Sequence, residues 1–91
     1  MGQKRRPQPT RLPEKLLKIR VTLGLSQEQM AERLKHVPSP PQPGTISRIE
    51  TGQREPSLLL LLEIARLAGL PMEYLVDDRL DISERLGRKK L

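Results

Sequence analysis

The residues of this chain that could do chemistry are few, and their spacing excludes more than it allows. No Cys is present, which removes disulfides, thiolate metal sites and thiol nucleophiles and fits a chain living in a reducing compartment. The single His36 has no second His or Cys to complete a tetrahedral metal set, so its expected place is a helix end, against the last-turn carbonyls. Glu28 and Glu32 stand one helical turn apart, as countless solvated pairs do, and neither a nucleophile with its base nor a Gly-rich phosphate loop accompanies them. Catalytic residues, metal ligands, a cofactor and a small-molecule ligand are therefore not expected, and neither is an enzyme. What remains is positive charge. Of the net +6, residues 1–20 hold Lys4, Arg5, Arg6, Arg11, Lys15, Lys18 and Arg20 against Glu14 alone. Such a basic arm on a balanced body could neutralise phosphates and release their condensed counterions, or could be a solubilising tail. Tyr74 is the only aromatic residue, too little for the stacking platforms of single-strand and RNA binders.

The elements that must position these residues follow from apolar period and punctuation. Residues 1–11 lack periodicity and read as a disordered basic arm. Leu16, Ile19 and Leu23 recur at helical spacing from Pro13 to the stop at Gly24, predicting a first helix over about 13–23. Ser26 followed by Gln29 is a capping-box pattern that opens a second helix over about 26–36, with Met30, Ala31 and Leu34 on its apolar face. The stretch from Pro38 to Gly44 cannot be a helix interior, although Pro43 is admissible in the first turn of a third helix carrying Ile46 and Ile49 and ending at Gly52. Pro56 or Ser57 starts a fourth through Leu58, Leu61, Leu62 and Ala65 to Gly69, and Pro71 a short fifth with Met72 and Leu75. No segment alternates like a strand, so the class is all-α, one domain over residues 12–78 with a C-terminal segment 79–91 that is a helix or tail. The longest apolar run, Leu58 to Leu62, falls well short of the roughly 20 residues of a membrane span. Pro7 and Pro9 fall where a secretory leader would need its apolar stretch. No membrane partner and a cytoplasmic location are expected.

The runs Leu23-Gly24-Leu25-Ser26-Gln27-Glu28-Gln29-Met30-Ala31-Glu32-Arg33-Leu34, Thr45-Ile46-Ser47-Arg48-Ile49-Glu50-Thr51-Gly52 and Pro56-Ser57-Leu58 resemble the phage-repressor and Cro family of helix-turn-helix DNA-binding domains, also called the XRE family. The resemblance implies a five-helix, lambda-repressor-like fold and a transcriptional regulator, a repressor in expectation, that binds double-stranded DNA with its third helix in the major groove. It implies that Ser26 and Gln27 face a phosphate at the start of helix two, where free N–H groups favour an anion. Gly44, Thr45, Ser47 and Arg48 match positions turned towards DNA, and the Arg48 fork suits guanine O6 and N7 or a phosphate. Thr51, Gly52, Gln53 and Arg54 match a loop that clamps the sugar-phosphate backbone. Arg20 and Glu50 match an internal salt bridge between helix one and the recognition helix.

Two departures stand out. Ten residues separate Leu34 from Thr45, an expansion of the usual turn, and Pro43-Gly44 offers no side-chain donor at the start of helix three. Either Gln42 and Ser39 on the stiff loop reach the groove, or the domain relies on phosphates and DNA shape. Leu59-Leu60 stands where relatives are often polar, which implies a homodimer or a protein partner through helix four and the C-terminal segment, unless Leu80, Ile82 and Leu86 fold back over that face. An antitoxin-like protein-interaction module with autoregulatory DNA binding is the alternative function.

Overall fold

Each helix starts and stops where local backbone chemistry dictates. A computed structural model describes residues 9–88, so most of the expected arm (1–8) and the last three residues of the C-terminal segment lie outside the described residues. Helix α1 (Leu12–Leu23) has Pro13 in its first turn and Glu14 at its positive end. Gly24 ends it at φ 73°, a left-handed conformation that an L side chain resists. Its N–H bonds Val21 O at 3.0 Å and the Leu25 N–H bonds Arg20 O at 3.2 Å, a Schellman closure that satisfies two orphan carbonyls. In α2 (Gln27–Arg33) the expected capping box is present: Gln29 N donates to Ser26 Oγ at 3.0 Å, and Ser26 N to Gln29 Oε1 at 2.8 Å.

Helix α2 ends three residues short of the expected 36. Pro38 disfavours the helical region for Val37, so the chain leaves the helix through a turn closed by Val37 N to Leu34 O at 3.3 Å. Val37 nonetheless stays buried. The proline-rich connection buries Pro41 and bends at Ser39, φ 52°.

Helices α3 (Pro43–Glu50), α4 (Leu58–Ala68) and α5 (Glu73–Val76) follow, and Ser83–Arg88 adds a short α6 to the expected five. The described residues are all helix and connection, with no strand. No helix among them is long and apolar enough to cross a membrane. Ile19, Leu34, Leu75 and Ile82 are essentially sealed from solvent at the centre, each worth about 1.5–3 kcal/mol of transfer free energy.

Two expectations need correction. In α4 the unpartnered leucines are Leu58 and Leu59, 69% and 51% exposed, whereas Leu60 turns into the core with Leu61, Ile64 and Ala65. Ile82 and Leu86 do fold back and are buried, yet Leu58 and Leu59 stay uncovered. The basic run of residues 1–20 is also not all arm. Lys15, only 2% exposed, donates to Tyr74 O at 2.7 Å and Asp77 O at 2.9 Å, closing the C-terminal end of α5. Burial pushes its ammonium below the usual lysine value, with neighbouring Arg11 adding to the shift. Arg11 Nη1 donates to Asp78 O at 2.8 Å, and Lys18 Nζ to Ser83 Oγ. Ahead of α1, Thr10 N and Arg11 N both donate to the Asp78 carboxylate, at 2.9 and 3.0 Å.

This clasp titrates. The Arg79 guanidinium and its backbone N–H lower the Asp77 pKa from 3.8 to about 2, and the backbone N–H groups of Arg11 and Thr10 lower Asp78. A carboxyl with a depressed folded pKa contributes stability above its unfolded value that is lost as pH falls through the folded one. Asp78→Asn is therefore expected to be less stable than the parent near pH 5, with the gap closing as pH falls below the ordinary carboxylate value of about 4. Urea midpoints of the two proteins across that range check this, and a gap independent of pH would refute it.

Candidate nucleic-acid interface

Helix α3, the candidate recognition element, is locked to its neighbours through one face. Ile46 and Ile49 are buried, and Glu50, one residue further round, turns towards α1. There Arg20 Nε meets Glu50 Oε2 at 2.7 Å and Arg20 Nη2 meets Oε1 at 3.1 Å, a bidentate pair with side chains 15% and 6% exposed. Arg20 Nη1 also donates to Leu25 O at 2.9 Å, in the turn between α1 and α2. Gln27 Nε2 adds a bond to Glu50 Oε1 at 3.2 Å. The hydrogen bonds and charge of Glu50 hold the Arg20 pKa above its usual value, and burial opposes them. A carboxylate near the negative end of α3 would otherwise be unfavourable; Arg20 offsets that and joins three helices at one point. The pair expected from the resemblance is thus present. Gln27, expected against a phosphate, has its amide nitrogen committed to Glu50 and is half-buried.

With one side of α3 sealed, helical geometry leaves Gly44, Ser47, Arg48 and Thr51 on the other. Gly44 and Arg48 are exposed and Ser47 half-buried. A Cβ built on Gly44 meets nothing within 4 Å, so the proline-rich connection does not lie over the start of this face. Gln42 sits at the N-cap position, exposed, without a side-chain cap bond. Thr45 lies on the flank, lining an open cleft of about 400 Å³ with Ser39, Pro41, Ile49, Arg54 and Leu60. Ser39 is exposed at the far side of that cleft. Ser26 is exposed, its hydroxyl occupied as the cap of α2.

The loop after α3 folds back onto the helix. Thr51 Oγ1 lies 3.1 and 3.2 Å from Ser47 O and Arg48 O, and Gln53 Nε2 donates to Thr51 Oγ1 at 3.0 Å. Gln53 N and Arg54 N both reach Arg48 O, at 2.8 and 3.2 Å. Gly52 makes the reversal at φ 81°. These backbone donors serve the fold, so the group this loop turns outward is the exposed Arg54 side chain.

Gly44 does not adopt a left-handed φ and has open space around it. Gly44→Ala is accordingly expected to stabilise α3 by about 0.5–1 kcal/mol through lower backbone entropy in the unfolded chain. Thermal unfolding of the two proteins measures this, and a lower midpoint for the variant would contradict it.

The grip of Arg11 and Lys15 on the chain around Tyr74 to Leu80 was not anticipated. A signal existed: Lys15 lies within the stripe formed by Leu12, Leu16 and Ile19, where a cation must find carbonyl partners if the face is buried. Arg85 over the Tyr74 ring, 5.0 Å from its centroid, adds a contact of α6 to the same corner. Among the described residues no cluster of His, Cys, Asp or Glu has the makings of a metal site.

Curated proteins show no significant match to the chain. The profile of a helix-turn-helix family matches residues 16–75, from the middle of α1 to α5, and so takes in the Arg20–Glu50 lock, the capped α2 and the outward face of α3. On that match over most of its length, the chain belongs to the XRE-type helix-turn-helix family of DNA-binding domains.

Proposed function

We propose that the chain is a sequence-specific transcriptional regulator, acting as a repressor, that lays α3 in the major groove of double-stranded DNA. The observation that carries this reading is the division of α3: Ile46, Ile49 and Glu50 are spent on the fold, while Gly44 and Arg48 stand open. Arg48 would read a guanine edge, with Ser47 beside it. Thr51, Gly52, Gln53 and Arg54 would follow the backbone, Arg54 through its guanidinium, and Ser26 and Gln27 would approach a phosphate at the start of α2. Gln42 and Thr45 flank the same face, Gln42 at the base-facing end where Gly44 has no side chain.

Leu58 and Leu59 support a homodimer. Two exposed leucines side by side at the start of α4 are suited to association, and a two-fold pair would place two recognition helices about 34 Å apart on a palindromic operator. The same leucines favour the second reading, an antitoxin-like module that holds a protein partner through α4 and binds DNA to regulate itself. Work on DNA in the cytoplasm accords with both.

Selection from a pool of random duplexes at two salt concentrations tests the proposal. An enriched inverted repeat supports an operator-reading dimer. Uniform binding with a steep salt slope would reduce the activity to electrostatics and sink the claim of sequence reading. Gel filtration without DNA separates the dimer from the monomeric, partner-binding form.

A further inference from the structure

We infer that the cleft beside Thr45 binds a small organic carboxylate with a flat apolar body, and that this ligand competes with DNA for Arg54; the competition rests on the DNA-binding reading above. The cleft is lined by segments from either side of α3, Ser39 to Pro41 before it and Arg54 to Ser57 after it. Thr45 and Ile49 of α3 and Leu60 of α4 complete it. Because these segments are apart in sequence, no local pattern announces the site. Its volume of about 400 Å³ lies within the roughly 300–1,000 Å³ of small-molecule sites.

The lining sets the chemical class of the ligand. Pro41, Ile49 and Leu60, buried residues that still border the opening, give it an apolar surface together with Pro40 and Pro56. Prolines have no side-chain rotamers to lose when a ligand lies against them. The charge comes from Arg54: among the described residues nothing engages its exposed guanidinium, whose planar donors match a carboxylate. Glu55 lines the cleft as well and is already engaged. A bare phosphate would leave the apolar lining unused, and a neutral hydrocarbon would leave the guanidinium unused. A carboxylate on an apolar body uses both.

The backbone at the cleft supports the same reading. Ser39 holds a left-handed φ of 52°, a conformation that residues with a side chain seldom adopt. Strain of this kind collects at ligand clamps, and here it falls on a residue that borders the cleft. The site also adjoins the proposed interface: Thr45 flanks the outward face of α3, and Arg54 is the side chain assigned to the sugar-phosphate backbone. One guanidinium does not pair at full strength with two anions. Ligand and duplex therefore oppose each other, each lowering the other's affinity by the same factor.

Titration of the isotope-labelled full chain with sodium naphthoate, followed by backbone amide shifts, tests the site. Shifts are expected at Thr45, Ile49 and Leu60, with half-saturation on the order of 1 mM for a probe of this size. Arg54→Gln in the protein, or the neutral naphthamide in place of the probe, is expected to weaken binding about tenfold. Shifts confined to the exposed Leu58 and Leu59, or equal affinity in Arg54→Gln, would overturn the site. The competition is read from the selected duplex. At ten times the half-saturating naphthoate concentration, its apparent affinity is expected to fall about tenfold relative to an equal concentration of sodium chloride. Equal duplex affinity in the two salts, with naphthoate bound, would overturn the competition and leave the DNA reading standing. If the parent binds no duplex, the DNA reading fails and the competition with it, while the amide shifts still decide the site.

Discussion

Glu50→Ala is expected to lower the unfolding free energy by about 3 kcal/mol, because it leaves the Arg20 guanidinium poorly paired in a site from which water is largely excluded. Arg20 would keep only its bond to Leu25 O, and Gln27 would lose its acceptor. For a domain of this size such a loss corresponds to roughly 12–24 °C in Tm, and it is a large share of the roughly 5–15 kcal/mol that holds a typical domain together. Urea and thermal unfolding give the number. The diagnostic control is the double variant Arg20→Met with Glu50→Leu, which removes both charges and should recover much of the loss, since an apolar pair of similar volume carries no desolvation cost. A Glu50→Ala protein within about 0.5 kcal/mol of the parent would mean that this bidentate pair contributes no more than an exposed one. The same variant is expected to weaken duplex binding beyond its effect on stability, because Glu50 fixes the angle of α3.

Arg48→Ala is expected to leave the fold intact, as the side chain is exposed on the outer face, while weakening binding to the selected duplex about tenfold to a hundredfold. Its further effect distinguishes two roles. If the guanidinium forks onto a guanine, preference at one base pair relaxes and Arg48→Lys fails to restore it, because an ammonium lacks the planar pair of donors. If it grips a phosphate, preference is unchanged, lysine restores most of the affinity, and the alanine variant reduces the salt slope by about 1. Full affinity in Arg48→Ala would remove this side chain from the interface and leave the proposed recognition face without its strongest reader.

Much of the fold was legible because its signals are local. The Ser26 and Gln29 box, the Gly24 and Gly69 stops and the prolines at helix starts act over one turn of backbone, and each holds at its predicted place. The failures share a different cause. In five consecutive leucines, period carries no phase, so the turning of Leu60 inward and Leu58 outward is set by what α4 packs against. The end of α2, expected at 36, falls at Arg33, because the turn that leads into Pro38 begins before anything in the local composition marks it. Lys15 counted as free charge because composition cannot see the carbonyls of Tyr74 and Asp77, some 60 positions away in sequence. At the interface, the alternation of isoleucines with Ser47 and Arg48 told which side of α3 faces out. The link from Gln27 to Glu50 depends on tertiary placement, which no local pattern encodes.

The proline-rich connection has one more consequence, concerning how such a domain tolerates change. Closing a loop of twice the length costs only about 0.6 kcal/mol more, and prolines restrict the unfolded chain and so offset part of that. Since the angle between α2 and α3 is held by Glu50, Arg20 and the buried isoleucines, the joint between them bears little mechanical responsibility. Chain length can be added or exchanged at this joint at low thermodynamic cost, without rebuilding the frame.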